Sequence, residues 1–228
     1  LSKVSSRNIY MKGQNTVPSD TVCYPAKLVH GHIIDLLEKD LDAIFYPCMS
    51  YTFDEGISDN CYNCPVVAYY PELIQANIPD IEKVHFLYPH LGIEDHKLLA
   101  ERMYENFRNI IPKLSKKEME KAIEKAFKRY YEYRETVRQE GNRVLKFAEE
   151  NNYPVIILAS RPYHIDPEIN HGLDKLLNSL QFIVVTEDAL YPVEGKLTTK
   201  TLNQWGYHAR MYNAAKYVSQ HKNMELVH

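Results

Sequence analysis

All four cysteines of the chain, Cys23, Cys48, Cys61 and Cys64, fall within its first 64 residues. Three stand beside prolines, in Cys23-Tyr24-Pro25, Pro47-Cys48 and Cys64-Pro65. Proline-bearing turns mark the ends of elements, so these thiols belong at element ends rather than in mid-core. Soft thiolates at such positions select zinc, copper(I) or iron–sulfur. Cys23 opens a helix after Pro18-Ser19-Asp20, and helix N-termini favour thiolates, the form that ligates metal. Cys48 follows the carboxyl end of a short strand, the edge at which open α/β sheets bind ligands. Cys61-Tyr62-Asn63-Cys64 is a CxxC ahead of another helix. The 23/48/61/64 spacing is not the two short-spaced pairs of a zinc finger. By composition alone, a ligand set and a group of reduced, partly buried cysteines without metal weigh equally.

A second chemistry-bearing segment runs from Ser160 to Gly172: Ser-Arg-Pro-Tyr-His-Ile-Asp-Pro-Glu-Ile-Asn-His-Gly. Arg161 suits a phosphate or carboxylate. His164 and His171 suit proton transfer or metal ligation. Arg161, His164 and His171 are therefore the catalytic candidates, and Arg161, Tyr163, His164 and Asn170 the substrate-binding ones. The plainer reading is a polar loop in which Asp166 and Asn170 cap the following helix. His30 and His32 read as structural groups on the first long helix. Lys27, one turn after Cys23, is either a thiolate or anion partner or a solvated charge. Tyr24, Tyr46, Tyr70, Tyr88, Tyr163 and Tyr191 flank prolines or polar loops, where a ring can line a cleft.

These groups are positioned by strands alternating with helices. Ala43–Tyr46, Val84–Leu87, Val155–Ala159, Phe182–Val185 and the residues after Met224 read as strands. Helical patterns cover Leu28–Leu37, Val66–Ala76, His96–Ile110, Gly172–Leu180 and Asn203–Gln220. Ser115-Lys116-Lys117-Glu118 is a capping box that opens a long helix reaching Asn151; Gly141 weakens that helix without breaking it. The pattern predicts an α/β fold with two Rossmann-like subdomains and mostly parallel sheets, joined by the long helix. The boundaries expected are a Cys-bearing subdomain over 1–112, a connector over 113–151 and a second subdomain over 152–228, truncated at its C-terminal end; the alternative is a surface helix on a single domain. The first residue, Leu1, and the strand-like last residues suggest a fragment of a longer protein.

The totals exclude several classes. The 228 residues carry a formal net charge of −3, so no basic field points to nucleic acid or to a membrane surface. No apolar run spans a bilayer. Four cysteines in this length do not make a disulfide framework, and a reducing, cytoplasmic compartment is expected. No P-loop, GxGxxG, GxSxG or HExxH occurs.

Three segments carry a resemblance: Val17–His32 (VPSDTVCYPAKLVHGH), Ile44–Cys48 (IFYPC) and Arg161–Gly172 (RPYHIDPEINHG). Together they resemble the region that follows the activase modules in acyl-CoA dehydratase activase-related proteins, the CoA-substrate-specific enzyme activase fusions. That region is similar to subunits of 2-hydroxyacyl-CoA dehydratases and of double-cubane cluster proteins. The resemblance covers nearly the whole chain. It implies paired Rossmann-like subdomains with a 4Fe–4S iron–sulfur cluster between them. It also implies an ATP-dependent activase partner, in the same full-length chain, that donates a low-potential electron. In the dehydratases the reduced cluster turns a 2-hydroxyacyl-CoA into a ketyl radical that loses water. Carried onto this chain, Cys23 and Cys48 resemble the first two cluster ligands, Cys64 a further one, and Cys61 the least certain. A further ligand is expected beyond the strand at Met224–Val227, so the cluster is expected in the full-length protein, with this piece expected to be empty and inactive alone. The other readings are a non-catalytic module that docks an activase or binds acyl-CoA, and a structural zinc domain.

Overall fold

The computed structural model describes residues 1–190 and 195–228, and Tyr191 therefore lies outside the described residues. In chain order its first helices are α1 (Arg7–Gly13) and α2 (Tyr24–Leu37), followed by strands β1 (Ala43–Phe45) and β2 (Cys48–Met49). Next come α3 (Pro65–Asn77), β3 (His85–Leu87), β4 (His90–Leu91), α4 (His96–Phe107) and the long α5 (Lys116–Glu150). The remainder is β5 (Val155–Leu158), α6 (Pro167–Asn170), α7 (Leu173–Ser179), β6 (Ile183–Thr186), α8 (Gly206–Ser219) and β7 (Met224–Val227). The class is α/β, and every described strand pairing in a sheet is parallel.

The described residues form two compact units. The first comprises Leu1–Thr52, Asn63–Lys121 and Tyr163–His171; the second comprises Phe53–Tyr62, Ala122–Pro162 and Gly172–His228. The start of α5 thus belongs to the first unit and the rest of it to the second. Its capping box forms as the sequence predicts: the Ser115 amide donates to Glu118 Oε2 at 2.9 Å, and the Glu118 amide donates to Ser115 Oγ at 3.3 Å.

In the first unit, β1 pairs with β3 and β2 with β4. Two further bonds join these ladders into one ribbon, from the Tyr46 amide to the Leu87 carbonyl at 2.8 Å and from the Cys48 amide to the Pro89 carbonyl at 2.9 Å. Pro47 and Pro89 have no amide to give, so each strand is interrupted at its proline. Ala26, Ile33, Ile44, Tyr70, Ile74, Ile78 and Ile81 make the core. Helix α1 lies against α2 at Gly31, where an added Cβ would stand 1.8 Å from the Ile9 carbonyl oxygen.

In the second unit the strand order is β6-β5-β7. All four β5 residues are buried, as expected of a strand covered on both faces. Val155, Ile157, Val185, Ala148 and Ala214 form its core. Gly141 keeps the helical conformation; a Cβ there would lie 2.6 Å from Ala189 Cβ and 2.9 Å from the Ala189 carbonyl oxygen. Glycine is thus required by close packing. Two helices depart from their sequence patterns by three residues at one end. α8 begins at Gly206 rather than Asn203, because the backbone of Asn203 is bonded to Asp59 instead. α4 stops at Phe107, short of Ile110, and a turn follows it.

Candidate metal centre

Helix α2 runs through a short link (38–42) into the start of β1, and α3 leads back from β2 to β3. Helices that return to the start of a parallel strand run opposite to it, so their N-termini lie at the carboxyl edge. Cys23 is the N-cap of α2 and Cys64 the N-cap of α3, each followed by a proline in the first turn and neither helix having a side-chain cap. Cys48 opens β2, just past β1. The topology thus directs the N-caps Cys23 and Cys64 towards the carboxyl end of the ribbon, in which Cys48 opens the second ladder. Tyr70, which is buried, and Tyr46, which is partly buried, lie near two of these thiols. Burial pushes Tyr70 up to about 12, with the Cys23 charge adding to it. Burial, then Tyr70, then Cys48 push Tyr46 up further still. Cys61 belongs to the second unit, where its neighbour Tyr62 pairs with Trp205. None of the four cysteines forms a disulfide.

Cys48 is fully buried. The parallel register sets it opposite His90 on β4, and α3 packs against β2, which brings Glu72 over the same place. The ligand atoms of Cys48, Glu72 and His90 all lie within 4.8 Å of one another. His90 Nε2 is 2.8 Å from Glu72 Oε1, and Arg102 donates to the His90 carbonyl at 2.9 Å. Burial raises the Cys48 thiol above its ordinary range, the Glu72 charge adds to this, and a hydrogen bond from the Glu72 amide opposes it. At neutral pH Cys48 is therefore a thiol, and a metal that binds it must release its proton. Neither Glu72 nor His90 stands out in the sequence. The signal that finds them is strand register, which a two-residue strand flanked by prolines does not announce.

No other group of three or more His, Cys, Asp or Glu stands at single-ion spacing among the described residues. Cys23, Cys48 and Cys64 are thus not arranged around one ion. A [4Fe–4S] cluster bonds each of its thiolates to a different iron, so it does not require that spacing.

The Ser160–Gly172 segment is divided, Arg161 going with the second unit and Tyr163, His164, Asn170 and His171 with the first. Asp166 caps α6, its Oδ1 accepting from the amides of Glu168 at 2.9 Å and Ile169 at 3.2 Å. Glu168 accepts from the Tyr24 hydroxyl at 2.7 Å, beside Cys23. His164 stacks on Tyr163 with centroids 4.9 Å apart, and His171 takes a left-handed conformation at the end of α6.

His30 is fully buried between the Thr16 hydroxyl, 2.8 Å from Nδ1, and the Tyr70 hydroxyl, 3.0 Å from Nε2. His32 sits between Ser2 and Ser5 at 2.9 and 3.0 Å. Both have the structural role their helical position suggests. Lys27 donates to the Asp20 carbonyl at 2.8 Å.

Residues 1–190 match the family model described as CoA enzyme activase uncharacterised domain (DUF2229). No curated protein and no solved structure matches the chain. No described helix is long and apolar enough to cross a membrane.

Proposed function

The chain belongs to the CoA enzyme activase uncharacterised-domain family, and from that premise we propose that it is the iron–sulfur, electron-accepting component of an ATP-dependent low-potential reductase or 2-hydroxyacyl-CoA dehydratase system. Its partner on this reading is the ATP-dependent activase module. One feature supports the proposal: Cys23 and Cys64 are the N-caps of α2 and α3, and Cys48 opens β2 in the same unit. The donor set fits a cluster, being three thiols with two of them at helix N-termini, where free amides favour bound negative charge. When bound, such a cluster supplies a one-electron carrier of low potential. The chain's own residues do the rest. Cys48 gives up its proton on ligation, and its buried position keeps water from one side of the centre. Uncapped amides at the starts of α2 and α3 offset negative charge. Tyr24, held by Glu168, fixes the backbone that follows Cys23.

A second reading has its own observation. Cys48, Glu72 and His90 form a thiolate, carboxylate and imidazole set for a single zinc-like ion, with a fourth position open. Counting iron, zinc and acid-labile sulfide after anaerobic reconstitution separates the two. The assay uses the full-length protein. The cluster reading expects iron together with sulfide, lost in Cys23→Ala and Cys48→Ala and kept in His90→Ala. The single-ion reading expects one metal without sulfide, lost in Cys48→Ala and His90→Ala and kept in Cys23→Ala. Absence of sulfide-bound iron under all conditions overturns the cluster proposal.

A further inference from the structure

The second unit has a site that the thiol chemistry does not use. In its β6-β5-β7 order, the first crossover leaves β5 on one side and the next returns to the other. Strand β5 thus faces the topological switch point, and such sheets bind ligands in the crevice beyond the carboxyl ends there. The ladder closes where the Ala159 amide donates to the Val227 carbonyl at 2.9 Å. Immediately beyond lie Ser160 and Arg161 on one side and His228 on the other. Helix α8 leads into β7, so its N-terminus belongs to the same edge. This 14-residue helix has no side-chain cap. The Gly206 amide is used by the Tyr62 carbonyl at 3.3 Å, whereas the next two amides, of Tyr207 and His208, have no acceptor within the helix.

Three buried polar atoms at this edge lack a hydrogen-bond partner among the described residues: Ser160 Oγ, Asn203 Nδ2 and His208 Nδ1. Ser160 is 7% exposed and Asn203 4%. Native proteins rarely leave such groups unmet, because each loses its water without a replacement partner. Arg161 and His228 lie close enough to His208 that their positive charges, after burial, disfavour its protonation, and no carboxylate acts on it. The acids of the surrounding segments are engaged elsewhere. Glu187 pairs with Arg210 at 3.2 Å, Asp188 accepts from Thr186 at 2.5 Å, and Asp59 holds Lys196 and the Asn203 amide. The unmet Ser160 Oγ and Asn203 Nδ2 can both donate, and Arg161 adds a positive charge at this edge.

We propose that this crevice binds a phosphate-type oxyanion, with Arg161 as its charged partner, Ser160 Oγ and Asn203 Nδ2 as short-range donors, and the N-terminus of α8 as the backbone cradle. The shared chemistry is a phosphoryl group, whether free or carried by a nucleotide-derived molecule such as coenzyme A. The proposal does not depend on the thiols, so it stands or falls separately from the cluster.

Isothermal titration calorimetry with inorganic phosphate, pyrophosphate and coenzyme A, with sodium chloride and acetate as controls, tests it. Saturable binding of at least one phosphate probe is expected, weakened about tenfold or more by Arg161→Gln or Asn203→Ala and unchanged by Cys48→Ala. Coenzyme A binding more tightly than pyrophosphate identifies a nucleotide source, and the reverse order identifies the free anion. Ser160→Ala, which removes one buried hydroxyl and no charge, guards against a folding artefact: its melting temperature should hold while phosphate affinity falls. Absence of saturable binding by all three probes, equal binding of chloride, or undiminished affinity in Arg161→Gln overturns the proposal.

Discussion

Acidification from pH 7 to pH 4.5 should cost the first unit about 2 kcal/mol through His30 alone. The ring, on α2, is fully buried and bonds Tyr70 of α3; these two helices carry Cys23 and Cys64 at their N-caps. Burial holds its pKa near 4, against 6.5 in an unfolded chain. A base whose folded pKa is depressed contributes stability that is complete above the unfolded value and is lost as the pH falls towards the folded one. At about 1.4 kcal/mol per pH unit, the interval from 6.5 to 4 spans ~3 kcal/mol, of which about 2 is spent by pH 4.5. His30→Gln retains a donor and an acceptor but does not titrate. Urea-unfolding free energies of the wild type and this variant are compared at pH 7, 6, 5 and 4.5. At pH 7 the variant should be less stable by about 1–2 kcal/mol, from weakened bonds to Thr16 and Tyr70. By pH 4.5 the gap should shrink by about 2 kcal/mol, closing or reversing. Subtraction removes the other titrating groups, including Asp35, which its Lys3 amide bond, Lys12 and Lys39 hold well below the carboxylate range. A gap that does not vary with pH would show that His30 is not a neutral core group and would refute the reasoning.

Gly31→Ala should destabilise the first unit by about 1–3 kcal/mol or more, because its Cβ overlaps the Ile9 carbonyl; faster hydrogen exchange at Ile9 and Tyr10 locates the damage in α1. Arg210→Met should cost the second unit about 3–5 kcal/mol at pH 8, since Glu55 and Glu187 lose the guanidinium between them. Burial raises Glu187 to about 7, so at pH 5 it takes up a proton and the cost falls; urea titrations at both pH values check the sign.

The sequence shows the α/β alternation clearly wherever hydrophobic runs are long. Val155–Leu158 and the α5 capping box are legible because each signal is local. β2 and β4 are not, since two residues beside Pro47 or Pro89 show no periodicity. The site is legible to the same extent. Cys23, Cys48 and Cys64 stand out as rare residue types at element ends. Glu72 and His90 do not, because only strand register and helix packing bring a common glutamate and a common histidine to Cys48. The Arg161–His171 segment reads as one polar loop, yet its residues divide between two units. The unmet donors at Ser160 and Asn203 depend on long-range burial, which no local pattern encodes.

The central claim is that the thiols of the first unit hold an iron–sulfur cluster. Electron paramagnetic resonance of the anaerobically reconstituted, dithionite-reduced full-length protein tests it most directly. The account predicts a reducible cluster signal in the wild type that disappears in Cys48→Ala and in Cys23→Ala and survives Cys61→Ala. A spectrum without any cluster signal, from protein that binds one zinc through Cys48 and His90, would contradict it.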